Sequence, residues 1–317
     1  MRWPLLFFFL FIVTHSNAQT KFDAYFSALK KQTIDSGITL TFDEPRNLDV
    51  SKPTKVIIFA LPNGNTTAQT FGKKLAEAED WHFDIQHIGA QTAFIRNADP
   101  KTNYIVVYFE NNLKSWPAWR RKYVTSDEQI GRLVNQMLTS YQLYRPKLIL
   151  TCHSGGGSFI FGYINSQVQI PSTVERIGFL DATYGYESER HGGKLKTWLK
   201  LKNTSLQIIA YNDGVVLFNG KPLVSPTGGT WYRSKLMAED LRNDFKLNAY
   251  DFLDRLAWSN KKQLISFSLI KNTESKIFHT VLVEKNGFIH LVLNGTPFQS
   301  KNYQFWGDRA YQSLVLN

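Results

Sequence analysis

One serine stands where a nucleophile could be made. In Leu148-Ile-Leu-Thr-Cys-His-Ser-Gly-Gly-Gly-Ser-Phe-Ile-Phe161 an apolar strand-like run meets a turn of small residues, and a helical pattern follows from Ser158 to Ser166. Ser154 lies at the centre of that turn. A serine hydroxyl is a weak nucleophile alone; it needs a histidine to take its proton and an acid to orient the histidine. A glycine-rich turn between strand and helix can instead cradle phosphate. That use calls for Gly-x-Gly-x-x-Gly or a lysine after the glycines, and neither is present. The single cysteine, Cys152, has no partner for a disulfide. Seven scattered histidines show no zinc-ligand spacing, so no metal or organic cofactor is expected.

The elements that must position Ser154 can be read from apolar runs. Lys55–Ala60, Tyr104–Phe109, Lys147–Thr151, Arg176–Leu180, Leu206–Tyr211 and Leu264–Ile270 are short and mostly lack polar alternation. Such runs suit strands buried on both faces of a mostly parallel sheet. Gly37–Phe42 alternates better and predicts an antiparallel edge strand. Helical patterns intervene at Gln69–Glu79, Ser158–Ser166 and Leu195–Leu201. Another begins at Ser126-Asp-Glu-Gln129, which has the form of a capping box. The expected class is α/β, a three-layer sandwich with helices on both faces of the sheet. Residues 215–258, rich in Gly, Pro and aromatics before a charged stretch, read as a late, lid-like insertion.

The strand, turn, serine and helix around Ser154 resemble the nucleophile elbow of the α/β-hydrolase superfamily, and the alternation on either side extends the likeness over most of the chain. Cys152 departs from the glycine usual two positions before the serine, but it is a small residue in the same place. The resemblance implies a serine hydrolase whose acid and then histidine follow the nucleophile in the chain. His279 and His290 are the histidines after the last expected strand. His279 ends a loop and is preferred; His290 falls in Phe288–Leu293, which with Val281–Val283 and the Asn286-Gly287 turn predicts a β-hairpin. Two acids compete: Asp213, after Leu206–Tyr211, and Asp181, at the end of Arg176–Leu180. The backbone N–H of Gly155 and that of Asn63 or Leu61 would form the oxyanion hole, since Pro62 has none to give. The turn is expected to point His153 away from Ser154.

Two further segments are candidates for substrate contact. Asp84–Thr92 carries His87 and Gln91 without helical period, and Trp116-Pro-Ala-Trp-Arg-Arg-Lys122 joins aromatic faces to cations. The net charge of +11 favours anionic partners without choosing among them. No nucleic-acid-reading motif accompanies it. Arg2, the apolar run Leu5–Val13 and Ser16-Asn17-Ala18 predict a signal peptide over residues 1–18. The expected product is therefore a secreted or periplasmic domain, residues 19–317, with no transmembrane anchor. The leading expectation is hydrolysis of a small-molecule or glycan ester, with an amide as second choice. The alternative is a non-catalytic, hydrolase-like protein that binds an anionic glycan or cell-wall component.

Overall fold

The structure is a computed structural model that describes residues 20–34, 36–299 and 302–317. The expected signal peptide lies outside the described residues. In chain order the strands are β1 (Lys30–Ile34), β2 (Ile38–Asp43), β3 (Thr54–Ala60), β4 (Asn103–Asn111), β5 (Lys147–His153), β6 (Val174–Leu180) and β7 (Ser205–Tyr211). A small pair, β8 (Leu217–Phe218) and β9 (Lys221–Pro222), precedes β10 (Asn248–Asp251), β11 (Arg255–Ser259) and β12 (Ile265–Ile270). All but β8 and β9 join one sheet in the order β1-β2-β4-β3-β5-β6-β7-β12-β11-β10. The six expected apolar runs are its parallel centre, β4 to β12 in that order.

Why those runs lack alternation is visible in the packing. Along β3, Val56, Ile58 and Ala60 enter one hydrophobic cluster, while Ile57 and Phe59 enter a second on the opposite face. Helices α4 (Trp116–Lys122), α5 (Ser126–Thr139), α6 (Gly157–Ser166), α7 (Gly193–Leu199) and α8 (Thr230–Phe245) supply the first cluster. The second is closed by α1 (Lys21–Ser27), α2 (Thr67–Phe71), α3 (Ile88–Ala98) and α9 (Phe288–Leu293). Both faces are covered, so both faces must be apolar. Among the described residues no helix is long and apolar enough to cross a membrane.

Several local expectations are corrected. Gly37–Phe42 does form antiparallel β2, but β1 pairs outside it and takes the edge. The Gln69–Glu79 helix shrinks to α2, stopped by Gly72 at φ 84°. A side chain at Gly72 would lie 2.6 Å from the His87 ring. Ser126 starts α5 without forming a capping box; Thr66 and Gln69 form that reciprocal pair at α2 instead. The hairpin predicted around His290 is absent, and α9 takes its place. Every residue of that run except the partly exposed His290 is buried, so it carries no clear period to separate helix from strand. The Asn286-Gly287 signal has another use. Asn286, at φ 65°, donates to the carbonyls of Gln304 and Asp308 and accepts from Ala310 N–H, which anchors the C-terminal segment. Within residues 215–258, α8 packs on the sheet, and β10 and β11 extend it.

Candidate active site

Register brings the candidate residues to one edge of the sheet. Ala60 of β3 stands beside Cys152 of β5, and His153 stands beside Leu180 of β6. Asn63, Ser154 and Asp181 therefore all leave the carboxyl ends of adjacent parallel strands. The strand order reverses between β3 and β5, and such a switch point leaves a crevice above the sheet.

Ser154 adopts φ 53°, a left-handed conformation that costs a non-glycine residue roughly 1–3 kcal/mol. The three glycines after it explain how so sharp a turn is packed. A Cβ on Gly155 would meet the Asn63 side chain at 2.1 Å, and one on Gly156 would meet the Ala60 carbonyl at 2.2 Å. On Gly157 it would lie 1.8 Å from the Ala182 carbonyl. Cys152 is fully buried in the core beneath the turn, and burial pushes its thiol pKa well up.

His279 lies in the loop after β12 and is the histidine brought to this edge. Its Nδ1–H donates to the carboxylate of Asp181. His153 Nε2–H donates to the His279 backbone carbonyl at 3.1 Å, with the two rings 4.5 Å apart. The residue next to Ser154 thus tethers the loop that carries His279. Burial, and then proximity to His279, holds His153 well below the usual histidine pKa. Being neutral, it keeps a single ring N–H for that tether.

The two competing acids are neighbours with different work. Asp181, fully buried at φ 43°, takes His279 on one oxygen and the Thr230 hydroxyl on the other. Asp213 accepts the backbone N–H of Thr230 at 2.7 Å and of Trp231 at 3.3 Å. It caps the first turn of α8. Burial, reinforced by nearby Asp181, raises the Asp213 pKa. Of the two candidate oxyanion donors after β3, Leu61 N–H is engaged by the Phe109 carbonyl, whereas Asn63 N–H is not engaged among the described residues.

A cavity of about 470 Å³ opens over Ser154, lined by Asn63, Arg120, Gly155, Ser158, Ala182 and Tyr184 among others. Arg120 is held by Asp127 and by the Ser158 carbonyl and hydroxyl. Among the described residues no group of three or more His, Cys, Asp or Glu could hold a metal ion.

Four sequence candidates make other contacts. His87 is fully buried and bonds Asp84 at 2.6 Å, in a network completed by Arg309. Gln91, also buried, donates to the Gln86 and Val283 carbonyls and accepts from Phe288 and Ile289 N–H, which locks α3 to α9. Trp116 packs against Trp119 and Phe159 beneath the cavity wall. His290 lies on α9, against Phe305. Conversely, Tyr184, Ser158 and Thr230 carried no signal that sequence reading could use, and Arg120 only as one cation among three.

No protein-family model matches the chain, and no curated protein is significantly similar to it in sequence. Solved structures do match. A thermostable esterase superimposes with a TM-score of 0.53 at 9% identity, over 85% of this chain and 64% of its own. The chain has the α/β-hydrolase fold. It spans just under two thirds of that esterase's length. An acetyl xylan esterase from Aspergillus awamori is also similar, with a TM-score of 0.46 at 9% identity over 78% of this chain and 93% of its own. The siderophore hydrolase EstB from Aspergillus nidulans follows, with a TM-score of 0.44 at 11% identity over 85% and 94%.

Proposed function

We propose that this protein is a serine hydrolase that cleaves a carboxylic ester through an acyl-enzyme on Ser154. The observation that carries the reading is the bond from His279 Nδ1–H to Asp181, in a loop tethered to the residue beside a serine in a left-handed turn. The choice of an ester over an amide follows the thermostable esterase that shares the fold.

In this reading Ser154 Oγ attacks the ester carbonyl as His279 Nε2 takes its proton. Asp181 holds the imidazole in the required tautomer and stabilises the imidazolium that forms. The oxyanion is met by the N–H groups of Gly155 and Asn63. His279 then returns the proton to the departing alkoxide. Water, activated by the same imidazole, hydrolyses the acyl-enzyme and regenerates the serine. Asp213 has no part in proton transfer; it anchors α8, whose Thr230 supports Asp181.

The Arg120 charge beside Ser154 is matched by Asp127, so the substrate we propose is a neutral ester of modest size rather than an anion. Export, which rests on the leader reading of residues 1–18, belongs to the same proposal. The test is turnover of short-chain aryl esters by the folded protein and by Ser154→Ala. The reading expects saturable hydrolysis and a loss of at least about a thousandfold in the variant. Equal rates in the two proteins would refute it.

A further inference from the structure

A second groove, of about 420 Å³, shares no residue with the Ser154 cavity. It lies on β10, β11 and β12, where the two sides of the sheet differ. Trp258, Phe267 and Leu269 enter the hydrophobic core on one side. Ala257, Ser259, Ser266 and Ser268 line the groove on the other. Register sets Tyr250 opposite Ala257 and Ala257 opposite Ser268, while Ser259 faces Ser266. The result is a shelf of small side chains with hydroxyls on top.

Three features of the shelf point to a ligand. The hydroxyls of Ser259, Ser266 and Ser268 line the groove and make no hydrogen bond among the described residues. Asn294, 1% exposed on the groove wall, donates to Gln207 but leaves its Oδ1 without a partner among the described residues. At the rim Tyr250 and Phe252 are about half exposed, with ring centroids 5.9 Å apart and planes within 13° of each other. Two aligned aromatic rings, one on the outermost strand and one just past its end, present apolar faces to solvent.

The groove's charge narrows the choice. Among the described residues the one cation lining it is Arg255, whose Nε and one Nη donate to the Asp254 carboxylate. The described lining therefore carries no surplus positive charge to favour a phosphate or carboxylate. A pyranose ring has C–H faces that lie on aromatic rings and hydroxyls that both donate and accept. The groove offers the complement: ring faces at the rim, and hydroxyl and carboxamide groups (Gln263, Asn294, Gln299) along the floor and wall. We propose that this groove binds a neutral saccharide chain, independently of the chemistry at Ser154.

Affinity electrophoresis of the full chain through gels containing arabinoxylan, mixed-linkage β-glucan, galactomannan or polygalacturonate tests the proposal. At least one neutral polysaccharide should retard the wild type and Ser154→Ala equally. The Tyr250→Ala/Phe252→Ala variant should bind at least tenfold more weakly, while its rate on a small aryl ester stays within twofold. Ser259→Val/Ser268→Val keeps strand propensity and removes two hydroxyls, so it tests the floor without touching the rim; it too should weaken retardation at least fivefold. The proposal is overturned if no neutral polysaccharide retards the wild type, if only polygalacturonate does, or if both double variants migrate like the wild type.

Discussion

Thr230 separates the two carboxylates that sequence alone left in competition. Its hydroxyl donates to Asp181, while its backbone N–H donates to Asp213. One acid is thereby oriented toward His279 and the other becomes a helix cap. Asp181→Asn should lower kcat by about three to four orders of magnitude, because an amide facing Nδ1 favours the wrong imidazole tautomer. Asp213→Asn should cost less than tenfold in kcat, and about 1 kcal/mol of stability through the weakened cap. Steady-state kinetics on one aryl ester, beside urea midpoints, checks both; equal kinetic losses would contradict the division of labour. Ser154 stands out in the sequence as a candidate because its turn demands small neighbours within a strand-to-helix junction. The acid could not, since both aspartates end parallel strands and only the fold decides which one His279 reaches. His87 and Gln91 misled for a related reason. Polar residues without period suggest a site, yet here Gln91 bonds buried backbone groups and His87 bonds the Asp84 side chain, partners that the sequence does not reveal.

At the level of elements, the elbow depends on how closely α6 can approach its neighbours. Gly157 begins that helix beneath the Ala182 carbonyl, one residue beyond Asp181. Alanine there gains helix propensity worth about 1 kcal/mol. Its Cβ would sit 1.8 Å from a backbone oxygen, a contact that no side-chain rotation relieves. The clash wins. Gly157→Ala should lose roughly 1–3 kcal/mol net in urea unfolding and displace Asp181 enough to lower turnover. An unchanged urea midpoint would show that the approach is not required. The six central strands were readable because burial on both faces leaves continuous apolar runs. The same property hid α9: a segment buried at every position but His290 shows neither a clear helical nor a clear strand period. Gln69–Glu79 had enough helix-compatible residues, but Gly72 ends α2 where His87 packs against the chain.

For the molecule as a whole, buried neutral histidines cost stability in acid. His191 is 1% exposed, and its Nδ1 accepts the Glu187 N–H. Burial first, and the Arg190 charge second, lower its pKa to about 4. Unfolded, the same ring protonates below roughly pH 6.5. The stability this group contributes is therefore complete above that value and is lost as pH falls toward 4. At about 1.4 kcal/mol per pH unit, roughly 2 kcal/mol is gone by about pH 5. His191→Gln, whose carbonyl can still accept Glu187 N–H, should flatten that limb when urea midpoints at neutral and mildly acidic pH are compared. Identical pH dependence in the two proteins would contradict the assignment. The net charge of +11 gave less guidance at this scale: of the two cavities described, each holds an arginine matched by an aspartate.

The central claim is that Ser154 is the activated nucleophile. Its most direct measurement is peptide mapping by mass spectrometry after brief exposure of the folded protein to a fluorophosphonate. The account predicts one stoichiometric adduct, on Ser154, that is lost in Ser154→Ala and slowed in Asp181→Asn. Absence of an adduct on Ser154, or labelling that persists when that serine is replaced, would contradict it.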